Sequence, residues 1–215
     1  MIRINRQSKP AILVEKELEW TTEYASYLAD KDSVPKAAAD RYTHAEIKAA
    51  IRSDAWDKCA YCEAKVTDVY VGETDHILPI AHCPELVVAW TNLAFVCRQC
   101  NHPKSSYFNP ALPLVDPYAE APENHIAFYG PMPIQWTDRG RKTINQLKLK
   151  RTALVERRMD RLQSVQDLIE LWESKANNSA AQDALKLAII EECQPDKEFS
   201  ATVRCYIRCR MGWPV

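Results

Sequence analysis

Residues 59–104 read CAYCEAKVTDVYVGETDHILPIAHCPELVVAWTNLAFVCRQCNHPK. Two Cys-x-x-Cys pairs, Cys59/Cys62 and Cys97/Cys100, enclose the stretch with 34 residues between them. One such pair alone would suit a redox motif. Two of them suit a tetrahedral zinc site, because each knuckle brings two sulfurs to one side of a tight turn and two knuckles complete the shell. Four thiolates leave no open position, so this zinc is expected to fold the chain and not to do chemistry. Buried free thiols or a redox pair are the alternatives. Cys83, Cys193, Cys205 and Cys209 form no matching second set and read as ordinary buried thiols.

Outward from this stretch, the 215 residues allow one or two domains with a sizeable core, and 47% hydrophobic content excludes disorder. Only four glycines are present, and no glycine-rich phosphate loop. No apolar run reaches the roughly 18 residues of a membrane helix, and no secretory signal is visible. These features point to a cytoplasmic protein without membrane contact or a disulfide framework. The expected organisation is 1–54 as an N-terminal arm and helices, 55–108 as a zinc-organised core, and 109–215 as a proline-rich connection followed by a helical region.

Residues 1–17 read as an extended arm, with a helical pattern over Leu18–Leu28. Thr43 to Glu46 forms a capping box opening a helix to about Trp56. Val69–Ile80 and Thr91–Val96 read as strands, and Asn101–Phe108 as a short helix. Six prolines make 109–137 irregular, with a short strand at 126–129. A second capping box, Thr143 to Gln146, is expected to open a long helix. Ser179 to Gln182 caps another, reaching about Cys193, and the tail 199–213 has no clear assignment.

Between the knuckles stands Asp75-His76-Ile77-Leu78-Pro79, then Asn92-Leu93, then Cys97-x-x-Cys100-Asn101-His102-Pro103-Lys104. In this order the residues resemble the HNH, or ββα-metal, nucleases, in the variety braced by a four-cysteine zinc. The resemblance implies an α+β fold: a ββα-metal (HNH) core with the four-cysteine zinc site, embedded in a mostly helical framework. It places the hairpin at about 73–80 and 91–96, and the helix at about 100–108. It implies that Asp75 is a ligand of a catalytic Mg2+ or Mn2+ and that His76 is the general base. Asn92 then ties the loop between the strands and sets the His76 ring, and Asn101 is the second metal-side residue. Many family members carry His where this chain has Asn101, which leaves His102 as a substitute. Lys104 is expected near a phosphate, and Arg98, His102 and His82 are candidates for substrate contact.

The chemistry supports these residue types. Phosphodiester hydrolysis needs an activated water and a positive centre for the phosphoryl oxygens. An imidazole titrates close to working pH and can accept the water proton. A carboxylate and an amide oxygen suit a hard ion. Neighbouring strand residues face opposite ways. Either the strand bends at Asp75-His76, or His76 reaches the water without binding the metal. In isolation Asp75 could be a strand-end cap, His76 a satisfied surface histidine and Lys104 a solvated lysine.

The net charge of −1, taken whole, argues against a nucleic-acid enzyme. It averages two unlike segments: residues 139–161 hold nine Lys/Arg against two acids, and 162–198 hold three Lys against eight acids. The basic segment suits a phosphate backbone. The alternative is a solvated helix face paired with the acidic region.

A wider set of motifs, CAYCE at 59–63, LVDPY at 114–118 and RGRKTINQLKL at 139–149, is similar to the PtuB-type HNH proteins of Septu anti-phage systems, which also serve as effectors of some retrons. That resemblance covers about residues 1–160. It implies a toxic effector working beside an ABC/SMC-like ATPase partner, PtuA. In retrons it also implies noncoding RNA and reverse-transcribed DNA in the assembly. DNA is the expected substrate, and RNA, including tRNA, is the alternative. A competing reading is a non-catalytic zinc-braced nucleic-acid or protein adaptor, which has no need of Asp75, His76, Asn92 and Asn101 together. A thiol redox protein is a third.

Overall fold

The structure, a computed structural model, describes residues 1–66 and 71–215. In chain order the elements are α1 (Ala11–Ala29), α2 (Ala45–Asp54), β1 (Glu73–His76), β2 (Leu93–Val96), α3 (Arg98–Lys104), β3 (Ile126–Tyr129), β4 (Met132–Gln135), α4 (Asp138–Gln146), α5 (Thr152–Ser174), α6 (Ser179–Glu191) and α7 (Ser200–Met211). Strands β1 and β2 form an antiparallel hairpin in which Asp75 faces Ala94 and His76 faces Leu93. Helix α3 follows β2 at once, which gives the ββα unit. Strand β2 is buried throughout because α2 packs against it. Gly72 enters β1 at φ +75°, and a Cβ there would lie 2.2 Å from the Phe95 ring, so glycine is required.

Several boundaries differ from expectation. Helix α1 starts at Ala11, not Leu18, with Pro10 as its N-cap and only residues 1–10 left as the arm. The arm does pack. Ile4 N–H donates to the Pro117 carbonyl at 2.8 Å, Gln7 N–H to Asp54 at 2.9 Å, and Arg6 to the Leu93 carbonyl at 2.6 Å. The cap of α2 is His44, whose Nδ1 accepts from Glu46 N–H, while the Thr43 hydroxyl turns back to the Asp40 carbonyl. The first hairpin strand is shorter than expected, and residues 69–70 of that expectation lie outside the described residues.

Strand β3 stands where expected and pairs with β4, which the prolines at 131 and 133 had hidden. The long helix expected from Thr143 is two helices. The first begins at Asp138, where the Thr137 hydroxyl accepts from Gly140 N–H at 3.1 Å. Thr143 is a buried residue inside α4, and its hydroxyl accepts from Val115 N–H at 2.9 Å. Lys148, at φ +50°, breaks the chain before α5. Helix α6 is capped by Asn178, one residue before the expected Ser179, and the unassigned tail is α7.

Two apolar clusters organise the chain. One wraps the hairpin and both knuckles with α1, α2, α4 and the start of α5. The other joins the second half of α5 to α6 and α7 through Leu162, Val165, Ile169, Ile189 and Ile207. The two meet at the first knuckle. Lys58 Nζ donates to the carbonyls of Pro195 and Lys197, and Glu63, at φ +65°, accepts from Ala201 N–H at 3.0 Å. The start of α7 is thereby fastened to the zinc knuckle.

Gly140 carries a testable consequence. A Cβ there would stand 2.0 Å from the backbone oxygen of His125. Gly140→Ala must therefore part α4 from the β3 corner, and thermal or urea unfolding should show a loss of about 2 kcal/mol or more.

Candidate active site and zinc centre

The four knuckle sulfurs lie within 4.8 Å of one another and all four cysteines are buried. Cys62 and Cys97, one from each knuckle, approach to 3.8 Å. That spacing matches the edges of a zinc–thiolate tetrahedron with about 2.3 Å bonds. The first knuckle turns tightly, with Cys59 N–H donating to the Ala64 carbonyl and Glu63 N–H to the Cys59 carbonyl, both at 2.9 Å. The second opens α3 directly. Of the remaining thiols only Cys193 is buried; Cys83 and Cys205 are half-buried and Cys209 is exposed, against the expectation of four buried ones.

A four-thiolate zinc unit carries net negative charge, and burial makes that charge costly. Arg151, at the break between α4 and α5, answers it. Its guanidinium stands 3.5 Å from Cys100 Sγ and 3.8 Å from Cys97 Sγ. Burial alone would lower its pKa, but the thiolates of Cys100 and Cys62 outweigh that and hold it above the ordinary value. No motif marked this residue beforehand; only its place in the basic run hinted at it.

Part of that run is engaged by groups of the protein itself, while Lys148 and Lys150 stay exposed. Arg139 chelates Glu120 and bonds the Pro113 and Leu114 carbonyls. Arg141 pairs with Asp138, Arg157 with Glu198 and Arg161 with Glu192. Arg158 is buried, with its guanidinium 5.1 Å from the Phe128 ring centre and donating to the Leu149 carbonyl. The acidic third of the chain is therefore the partner of the basic segment for Arg157 and Arg161.

The expected catalytic residues converge on the hairpin and α3. Asp75, His76 and Asn101 line one cleft of about 250 Å3, with Thr74, Tyr42 and Ser105 beside them. Strand alternation sends consecutive side chains to different partners. The Asp75 carboxylate accepts from Tyr61 Oη at 2.7 Å and from Lys104 Nζ at 3.0 Å. His76 turns away from these, its ring edge-on to Tyr42 at 4.6 Å and its Nε2 2.7 Å from the Val87 carbonyl. A carbonyl only accepts, so Nε2 carries the proton and Nδ1 keeps the lone pair of the neutral ring. Burial chiefly lowers the His76 pKa, with Lys104 acting the same way against the Val87 bond and Asp75. Of the two arrangements open to Asp75-His76, β1 adopts the one in which the strand stays regular.

Asn92 bridges the connection between the strands. Its Oδ1 accepts from Leu78 N–H at 2.8 Å, and its Nδ2 donates to the carbonyls of Leu78 and Leu86 at 3.0 and 3.3 Å. Leu86 precedes Val87, so the same bridge sets the carbonyl that orients His76. Asn101 Nδ2 donates to Glu73 Oε2 at 2.9 Å.

Lys104 corrects an expectation. It is 1% exposed, and its ammonium serves Asp75 and, at 2.7 Å, the His76 carbonyl; it is not available to a phosphate. Arg98 and His102 are exposed on α3, and neither lines the cleft. His82 is exposed and stacks on Phe108 at 4.7 Å. Tyr61, Tyr42 and the Val87 carbonyl were missed. Tyr61 lies inside the first knuckle, where the cysteines masked its second use. Burial, then Asp75, pushes its phenol pKa well up, so it remains a donor.

Oxygen atoms dominate what the cleft offers an ion. Asp75 has lone pairs beyond those used by Tyr61 and Lys104, and Asn101 keeps its amide oxygen. The buried Thr74 hydroxyl has no hydrogen-bond partner among the described residues. This donor set fits a hard, partly hydrated divalent cation.

Comparison with known proteins agrees with this geometry. The family model for HNH endonuclease matches residues 59–106, from the first knuckle to the end of α3. The chain is 30% identical over 217 residues to the Septu protein PtuB of Bacillus thuringiensis, covering 94% of this chain and 80% of that one.

Two outcomes test the zinc centre. Cys59→Ser or Cys97→Ser should lose the bound zinc, read by elemental analysis, and most of the folded structure, since zinc–thiolate binding contributes on the order of 10 kcal/mol. Arg151→Met should keep the fold but release zinc to a chelator several-fold faster. With four thiolates closing the zinc shell and a zinc-braced ββα unit carrying Asp75, His76, Asn92 and Asn101, the chain belongs to the Septu PtuB family of HNH endonucleases.

Proposed function

We propose that the cleft beside β1 is the catalytic centre of this metal-dependent nuclease, with His76 as general base, Asp75 and Asn101 as holders of the catalytic ion, and Asn92 as the residue that sets the loop. The observation that carries this reading is the His76 hydrogen bond. Nε2 is committed to the Val87 carbonyl, which leaves an unprotonated Nδ1 on a ring that lines the cleft. A depressed pKa keeps that nitrogen ready to take a proton at neutral pH.

Mg2+ or Mn2+ fits the oxygen donors and supplies positive charge to the phosphoryl group. His76 Nδ1 receives the proton of the attacking water. Tyr61 and Lys104 clamp the Asp75 carboxylate from two sides, so its remaining lone pairs point in a fixed direction. Lys104 also grips the His76 carbonyl, tying the two neighbours of β1 to α3. Asn92 fixes Leu78 and Leu86, and through Leu86 the Val87 carbonyl.

The substrate in this reading is a nucleic acid, DNA ahead of RNA. Membership of the PtuB family supports a role as the toxic effector of an anti-phage complex with a PtuA-like ATPase. Where such a complex belongs to a retron, noncoding RNA and reverse-transcribed DNA join it. Among the described residues no helix is long and apolar enough to cross a membrane.

His76→Ala should reduce cleavage by about a hundredfold or more while zinc content and circular dichroism stay unchanged. Normal cutting by that variant with Mg2+ present would remove His76 from the mechanism. A non-catalytic adaptor would show no cleavage by the wild type either. Tyr61→Phe should fold with a loss of about 1–3 kcal/mol and cut more slowly, because one clamp on Asp75 is gone.

A further inference from the structure

A second hollow adjoins the cleft. It measures about 370 Å3 and is lined by Ile77, Leu78, Tyr107, Phe108 and Leu114, with the polar groups of Asp116, Glu120 and Arg139 among them. The same two segments wall both spaces. Ile77 and Leu78 face the hollow, whereas Pro79 and Ile80 face the cleft; Tyr107 and Phe108 face the hollow, whereas Ser105 and Ser106 face the cleft. The two linings therefore border each other along the chain at Leu78–Pro79 and at Ser106–Tyr107.

The lining is mostly apolar with a few converging polar groups, as in sites for small aromatic ligands. Phe108 is 38% exposed and Leu78 40%, a high exposure for two large apolar side chains at one rim. One face of Phe108 already carries the stacked ring of His82, at 4.7 Å and 14°. Among these polar groups Asp116 offers acceptor oxygen, held in place by Tyr118 N–H on its Oδ1 at 2.8 Å, whereas both Glu120 oxygens are already taken by Arg139, His125 and the Asp116 N–H. Lys142 Nζ stands 4.3 Å from the centre of the Tyr107 ring, close to the same wall.

We propose that this hollow receives one unpaired nucleobase of the strand being cut, next to the scissile phosphate. The inference rests on the nuclease reading of the cleft. An aromatic wall accepts any base face, the Asp116 carboxylate matches a base N–H donor, and an apolar hollow of this size admits a base only once it has left its stack. The strand is therefore engaged with that nucleotide unpaired, as a single strand, a loop or a locally opened duplex. Continuity with the cleft favours a base over an apolar side chain of a partner protein, which could approach from any direction.

The test uses the full-length His76→Ala chain with Mg2+ and single strands of about 16 nucleotides, DNA and RNA, each carrying 2-aminopurine at one position in turn. At one position the emission should change on binding. Ala119→Trp, which places a bulky ring at the exposed rim, and Phe108→Ala should each abolish that change. Both should weaken binding about tenfold, as should an abasic site at that position. If the variants and the abasic strand bind as tightly as the reference, the base site is wrong while the nuclease reading stands. If Ala119→Trp instead weakens assembly with the ATPase partner and leaves strand binding untouched, the hollow takes a protein side chain and the proposal falls. If the chain binds neither DNA nor RNA, the nuclease reading fails with it.

Discussion

Four thiolates drawn to within 4.8 Å of one another are the constraint on which the rest of this protein depends. The two knuckles lie at opposite ends of the hairpin segment, so closing the shell fixes where that segment begins and where α3 starts. The second knuckle leads straight into α3, and α3 carries Asn101 to the cleft and Lys104 to the Asp75 carboxylate. The first knuckle carries Tyr61 to Asp75, and Lys58 and Glu63 to the start of α7. A structural zinc contributes on the order of 10 kcal/mol, comparable to the whole stability of a domain. Arg151 and the adjoining α4–α5 break sit against the sulfurs, which explains why a helix expected to be continuous is interrupted there.

Within that frame the cleft is held by hydrogen bonds that leave little slack. Asp75 is gripped by a phenol and an ammonium, both buried. Asn92 makes three bonds to two carbonyls and one amide of the connecting loop. The result is a pair of adjacent strand residues that line one cleft with separate partners: an anchored carboxylate and an imidazole of defined tautomer. A lysine that looks like a phosphate contact in the sequence is, in space, the counter-ion that lets Asp75 be buried.

The parts legible in the sequence were those governed by spacing. The cysteine pairs, the Asp75-His76 dipeptide and the placement of Asn92 and Asn101 follow from local geometry that a short motif preserves. Helix ends were less legible because side-chain caps compete with tertiary contacts. The hydroxyl of Thr143 serves Val115, and Thr137 caps α4 in its place. Strand β4 escaped notice since Pro133 occupies it, which an edge strand of a two-stranded sheet tolerates. The basic run was legible only in part. Charge counted along the chain cannot tell an arginine facing solvent from Arg158, buried against Phe128, or from Arg157 and Arg161, paired with acids some 30 to 40 positions away.

The chemistry of the cut ends tests the account most directly. In the proposed mechanism a water activated at His76 attacks phosphorus without using a 2′-hydroxyl, whatever the sugar. Sequencing of nucleic acids from cells expressing the active protein with its partner, by protocols specific for each end, should find 5′-phosphate and 3′-hydroxyl termini that vanish with His76→Ala. Termini bearing a 2′,3′-cyclic phosphate that depend on His76 would contradict it.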